Sequence, residues 1–267
     1  MTRALRALAL LGLLCAGCVA RAPATADAAA FEAQGVFVRH ARVRFAPAHT
    51  QAFEALLARC VRGARAAGLP GESGWLCYRE TPGRYWVLWF SGSADGFPYP
   101  AAPDALAAFV RQTSGAADAA ALARLDYELE WVLLLRQKLG WCTVPEMSTE
   151  THPKARLMER TIAPGAEGAF DRALTARTDF LRERGYPLPI EGFVTLAGAP
   201  GTAHQVLFPV DWASFHASTS IGTFVRVLDA EARAEYAARK RDLMVTMTRA
   251  EFYDADCLPE LSYSGAR

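Results

Sequence analysis

Arg177 lies on a stripe with Phe170, Ala173, Leu174 and Leu181, spaced as one face of a helix. A guanidinium among apolar residues must meet a carboxylate, a carbonyl or an anionic ligand, or reach out to water along its stem. A structural ion pair and an anchor for a carboxylate or phosphate are both open readings. His204 opens a strand-like run with Val206 and Phe208, and His216 follows "DWASF" at a helix start. Either imidazole has the chemistry of a proton shuttle or a cofactor ligand, and either also suits a structural role, as do His40, His49 and His152. Glu191 and Asp211 are candidate acid–base partners, although "PIEG" and "VDW" read equally well as turn or capping sequences. Trp75, Trp86, Trp89, Tyr85 and Phe208 concentrate on strands, as core or as the wall of an apolar ligand site. "GESG" lacks the final Gly and the strand-to-helix setting of a nucleophile elbow.

The elements that must position these residues occur twice. "FAPAHTQAFEALLAR" from Phe45 is echoed by "IAPGAEGAFDRALTA" from Ile162. Phe53 matches Phe170, Gly68 matches Gly185 and Pro70 matches Pro187 at one offset, and "FVR" at Phe109 recurs at Phe224. Each copy reads as a strand, a helix, two strands around a turn, helical segments and a closing strand. The closing pieces, "LEWVLLLR" and "LMVTMTRAEF", are ambiguous with helix; β-branched "MVTMTR" favours strand. In the second copy polarity replaces bulk: Arg177 stands for Cys60, Thr195 for Cys77, and His204 for about Tyr85. These matches single out Arg177, His204, Thr195, Phe208 and Trp89 as candidate ligand-binding residues.

The chain of 267 residues is 52% hydrophobic and carries a net charge of +1, so it has no electrostatic footprint for nucleic acid. Arg3 and Arg6 precede a short apolar stretch, Ala7 to Leu14, which is too short to span a bilayer. Ala16-Gly17-Cys18 resembles the lipobox of bacterial lipoproteins, with Cys15 where that motif prefers Leu; cleavage after Ala26 is the alternative. The resemblance implies export, lipidation at Cys18 and attachment on the periplasmic side of a bacterial envelope. Export permits disulfides among Cys60, Cys77, Cys142 and Cys257. Cys60 on the first helix and Cys77 on the next strand are the candidate pair, with free core thiols as the alternative. Among these four cysteines no CxxC spacing suggests zinc. The expected division is signal 1–18, tether 19–34, first repeat 35–143, linker 144–153, second repeat 154–260 and tail 261–267.

The order β-α-β-β-α-β, twice, is ferredoxin-like. In "RYWVLWF" both strand faces are apolar, so both need cover. The chain therefore resembles the dimeric α+β barrel superfamily, with two ferredoxin-like βαββαβ repeats packed as a pseudo-symmetric barrel in one chain. That family's cofactor-free monooxygenases and small haem-degrading enzymes use an Asn with Trp and His, and this chain contains no Asn. Its haem proteins resembling chlorite dismutase need a proximal His and a distal Arg, for which only His216 with Arg177 is available. The expected function is an exported, lipid-anchored barrel that binds a small apolar or weakly anionic molecule, or an envelope accessory module. The alternatives are a haem-dependent or cofactor-free oxidoreductase and a non-catalytic interaction module. Replacing the thiol in Cys18→Ser is expected to release the protein from membranes in a cell-fractionation assay; a variant that stays membrane-bound and is processed identically refutes lipidation.

Overall fold

The computed structural model describes residues 36–69, 74–91, 105–143 and 151–263. Cys18, the signal, the tether, most of the linker and the last four residues lie outside them. The element order is the expected βαββαβ, twice. The first copy runs β1 (Phe37–Phe45), α1 (Thr50–Ala66), β2 (Trp75–Thr81), β3 (Arg84–Ser91), α2 (Ala105–Ser114), α3 (Ala116–Leu122) and β4 (Tyr127–Gln137). The second runs β5 (Lys154–Ile162), α4 (Glu167–Glu183), β6 (Ile190–Ala197), β7 (Thr202–Leu207), α5 (Ile221–Arg226), α6 (Ala230–Met244) and β8 (Met247–Cys257). Both ambiguous closing pieces, β4 and β8, are strands.

The chain forms two compact units whose limits differ from those of the repeats. The first contains Val36–Leu135 together with the stretch from Ala255 onward, and the second contains Arg136–Asp254. The end of each repeat is thus built into the unit made mainly by the other repeat.

In the first unit, β3 lies between β1 and β2, antiparallel to both. Strand alternation sends Val43, Tyr85, Val87, Trp89 and Cys77 to one face, where they pack with Phe53, Leu56, Leu57 and Cys60 of α1 and Phe109 of α2. Trp89 belongs to this helix-facing core, 5.5 Å from the ring of Phe109. The C-terminal residues close the unit. The Trp75 amide donates to the Tyr263 carbonyl at 2.7 Å, and the Trp75 indole donates to the Leu261 carbonyl at 2.8 Å. Ser262 Oγ accepts from the Cys77 amide, and the Tyr263 hydroxyl donates to the Leu69 carbonyl.

The second unit repeats the plan, with β7 between β5 and β6 and α4 packed beside α6. Residues 138–143 close it: Thr143 Oγ1 accepts from the Ile190 amide and donates to the Leu188 carbonyl. Gly192 is required here, since a Cβ on it would stand 2.2 Å from Cβ of Trp141.

The expected Cys60–Cys77 disulfide is not present; Cys60, Cys77, Cys142 and Cys257 are free thiols. Cys60 directs its thiol at Thr113 and Ser114 instead, and burial raises the pKa of both Cys60 and Cys77. The two residues fill the same core as small apolar groups.

Register corrects two of the repeat matches. Phe45 donates to the carbonyl of Gly83 as Ile162 donates to that of Gly201. Cys77 faces Val87 as Gly192 faces Gln205. The counterpart of Cys77 is therefore Gly192, not Thr195, and Tyr85 corresponds to Ala203. His204 takes the place of Trp86, because the second hairpin loop is longer than the first.

The tail is expected to be essential to the first unit. Leu258, Leu261 and Tyr263 are buried in its core, and each large apolar side chain contributes roughly 1.5–3 kcal/mol. Deleting residues 258–267 should strip hydrogen-exchange protection from the amides of β2 while leaving β5–β7 protected. Full protection of β2 in the shortened chain would contradict this.

Candidate functional site

The sheet of the second unit carries its titratable groups on the face turned away from the helices. Glu159, His204 and Phe193 sit side by side on β5, β7 and β6. One step along, Leu157, Val206 and Glu191 form the next row. In the other direction lie Thr202 and Thr195, whose hydroxyls are 2.7 Å apart. Thr202 Oγ1 is also 3.4 Å from His204 Nε2. From Glu191 to Thr195 the face runs about 13 Å along the strand.

The protonation states follow from burial. Glu191 is half-buried and, among the described residues, has no hydrogen-bond or ion-pair partner. Desolvation raises its pKa to about 7. His204 is fully buried. Its Nδ1 stands 4.0 Å from Glu159 Oε2, beyond hydrogen-bonding range. Burial and the positive charge of Arg160 outweigh that carboxylate and lower the His204 pKa to about 4. The face thus presents, at neutral pH, an uncharged imidazole, two hydroxyls, the Glu159 carboxyl and a second carboxyl, Glu191, near its midpoint of titration. This is an arrangement suited to general acid–base work.

At the hairpin end, Thr195 and Thr202 also line a cavity of about 380 Å³ with Trp141, Phe170, Lys138 and Arg136. The indole of Trp141 donates to Asp171, and the Lys138 ammonium lies 2.7 Å from the same carboxylate. The cavity therefore has one apolar aromatic side and a rim of mixed charge, with Arg136 and Lys138 beside Glu167 and Asp171.

The structure brings His204 and Thr195 together through Thr202 and places Arg177 on the opposite, helix-facing side of the sheet. Arg177 Nε donates to the Tyr236 hydroxyl at 3.2 Å, and its Nη1 donates to Gln205 Oε1 at 3.4 Å. Phe208 is buried just past β7, its amide donating to the Pro189 carbonyl. His216 is exposed and stacks on Trp212. Asp211 is an N-cap, accepting from the Ser214 amide.

Sequence reasoning missed the corresponding face of the first unit. Arg42 donates from Nε and Nη2 to the two oxygens of Glu80, at 2.8 and 2.5 Å. The Trp86 indole donates to Glu80 Oε2 at 2.9 Å. Glu130 lies 3.1 Å from Arg42, whose guanidinium stacks over Trp131. The ring of His40 meets Trp86 and Trp131 edge-on. The clue in the sequence was the alternation in "VRHARVRF": His40, Arg42 and Arg44 alternate with Ala41, Val43 and Phe45. This first face is ion-paired, which makes it the more structural of the two.

Haem does not fit this cavity. The walls of the cavity include no His, Cys, Met or Tyr to ligate iron. His40 and His204 are enclosed, and His49 accepts the Asp126 amide through Nδ1.

No family model matches the sequence, and no curated protein does. Solved structures do resemble it. A candidate monooxygenase from Lactobacillus acidophilus NCFM aligns with TM-score 0.51 at 8% identity, over 84% of this chain and 94% of its own. An anthrone oxidase-like protein aligns with TM-score 0.52 at 8% identity, over 84% and 92%. A candidate chlorite dismutase aligns with TM-score 0.51 at 8% identity, over 85% and 96%. At these identities the likeness shows the fold alone, and the chain has the α+β fold of the dimeric α+β barrel proteins, with two ferredoxin-like repeats.

Glu191 and His204 impose opposite pH dependences. The folded pKa of Glu191 is raised from 4.5 to about 7, so the folded chain retains a proton that the unfolded chain loses, and stability falls as pH rises through that window. The folded pKa of His204 is lowered from 6.5 to about 4, so stability is lost as pH falls through that window. Between about 4.5 and 6.5 the two slopes cancel, each being about 1.4 kcal/mol per pH unit. Relative to the parent, Glu191→Gln should gain stability with rising pH from 4.5 to 7, and His204→Gln should lose it from 4 to 6.5. Denaturant melts across this range check the pair; variants whose slopes both follow the parent would refute the assignment.

Proposed function

We propose that this protein is a cofactor-independent oxidoreductase acting on a small, weakly acidic aromatic or enolic molecule, with its site on the helix-free face of the second unit's sheet. One observation carries the reading: Glu191 is an unpaired carboxyl with a pKa of about 7 on a partly apolar face. A base of that pKa removes a weakly acidic proton at neutral pH. The names of proteins with a similar fold, a candidate monooxygenase and an anthrone oxidase-like protein, support oxidative chemistry over simple binding.

The residues have distinct tasks. Glu191 accepts the substrate proton. Phe193, Val206 and Leu157 provide the apolar contacts around it. The Thr195–Thr202 pair supplies hydrogen bonds to substrate oxygens, and neutral, enclosed His204 positions that pair through Thr202 Oγ1. The deprotonated substrate is electron-rich enough to reduce dioxygen. With a methylene substrate, the carbon loses two hydrogens and takes one oxygen atom as a carbonyl, while the second oxygen leaves as water. Dioxygen is the oxidant, and no group bound to the protein changes redox state.

Export and a lipid anchor at Cys18 belong to the same proposal, supported by the sequence of the first eighteen residues. They would place the reaction on the periplasmic side of the envelope.

Anthrone and a series of simple phenols are the probes, read by oxygen consumption. The parent protein is expected to consume oxygen with at least one of them, and Glu191→Gln to lose about 10²–10⁴-fold in kcat/KM. The kcat/KM of the parent should rise with pH around 7. Absence of uptake with every probe, or full activity in Glu191→Gln, refutes the proposal.

A further inference from the structure

On the helix-facing side of the same sheet, the second unit differs from the first in a second way. Arg160 takes the position that Val43 holds in the first unit: Val43 is paired with Tyr85, and Arg160 with Ala203. Arg177 takes that of Cys60. The two arginines are 5% and 6% exposed. Burial, with the positive charge of Arg177 added to it, lowers the Arg160 pKa to about 9, which leaves Arg160 charged at neutral pH.

Their partners are neutral. Arg177 has Tyr236 and Gln205. Gln205 is itself fixed, its Nε2 donating to the Trp141 carbonyl and Thr178 Oγ1. Arg160 Nη2 reaches only the sulfur of Met158, at 3.6 Å, and its buried Nη1 has no hydrogen-bond partner. Neither arginine pairs with a carboxylate among the described residues. Two buried cations without a counter-charge are strongly destabilising, and an unfilled guanidinium donor adds its own desolvation cost.

We propose that Arg160 and Arg177 together bind a small monovalent inorganic anion of halide size between the sheet and helices α4 and α6. The anion accepts from Arg160 Nη1 and offsets the repulsion between the guanidiniums. Enclosure favours a compact ion over a ligand with an organic body. Desolvation cost grows with the square of the charge, which favours a monovalent ion over sulfate or phosphate. The site is on the opposite face of the sheet from Glu191 and stands independently of the proposed reaction.

Two measurements test it. Crystals soaked in sodium bromide should give an anomalous difference peak in contact with both guanidiniums. Melting is then followed in sodium chloride against sodium gluconate at equal ionic strength. Above the Kd, each tenfold rise in chloride should raise Tm by roughly 3–6 °C, and Arg160→Met should melt identically in the two salts. No bromide peak at the pair, or coincident chloride and gluconate curves for the parent, overturns the proposal. The bromide result decides the matter if Arg160→Met does not fold.

Discussion

Successive side chains of a β-strand point to opposite faces, and both units depend on this period of two. One face of each sheet must be apolar enough to hold its helices. The other is then free to carry different chemistry, and register decides which residue goes where. In the first unit the rule places Tyr85, Val87 and Trp89 against α1 and α2 and leaves Trp86 beside Glu80. In the second it places Ala203, Gln205 and Leu207 on the helix side and His204 on the other. A single-residue shift would exchange these sets and bring the imidazole into the helix-facing core.

Within that common frame the two units use polarity differently. The first unit satisfies its buried charges internally, through Arg42, Glu80 and Glu130. At the matching places the second has Glu159 for Arg42 and Thr195 for Glu80, so the bidentate pair cannot form. Its helix side has also exchanged apolar residues for Arg160, Arg177 and Gln205. The first unit has the closed network expected of a scaffold. The second keeps groups whose charge is unresolved, which marks functional sites more often than scaffolds.

The architecture was legible because its signals are periodic. The stripe on α1 with Phe53, Leu57 and Cys60, the turn "TPGR" and the alternation of "RYWVLWF" fixed element type and order. The site was less legible. Arg177 and His204 stood out as polar residues among apolar ones, but sequence could not show that they lie on opposite faces. That depends on the length of the second hairpin loop, which displaced two repeat matches. Glu191 read equally well as a turn residue because its pKa arises from packing, which has no local signature. Arg160 escaped notice because "ARLMERTI" alternates acceptably; its isolation is visible only once Met158 and Arg177 surround it.

The exchange of repeat ends also has a consequence for the order in which the ribosome delivers the parts. Residues 136–254 are contiguous, so the second unit has all its pieces once its own stretch has been synthesised. The first unit begins earlier in the chain but lacks Leu258, Leu261 and Tyr263 until after the whole of the second unit's stretch has been made. Until then Trp75 has neither its amide partner nor its indole acceptor. Residues 36–135 therefore cannot complete their core until the second unit's stretch has left the ribosome, although they are made first.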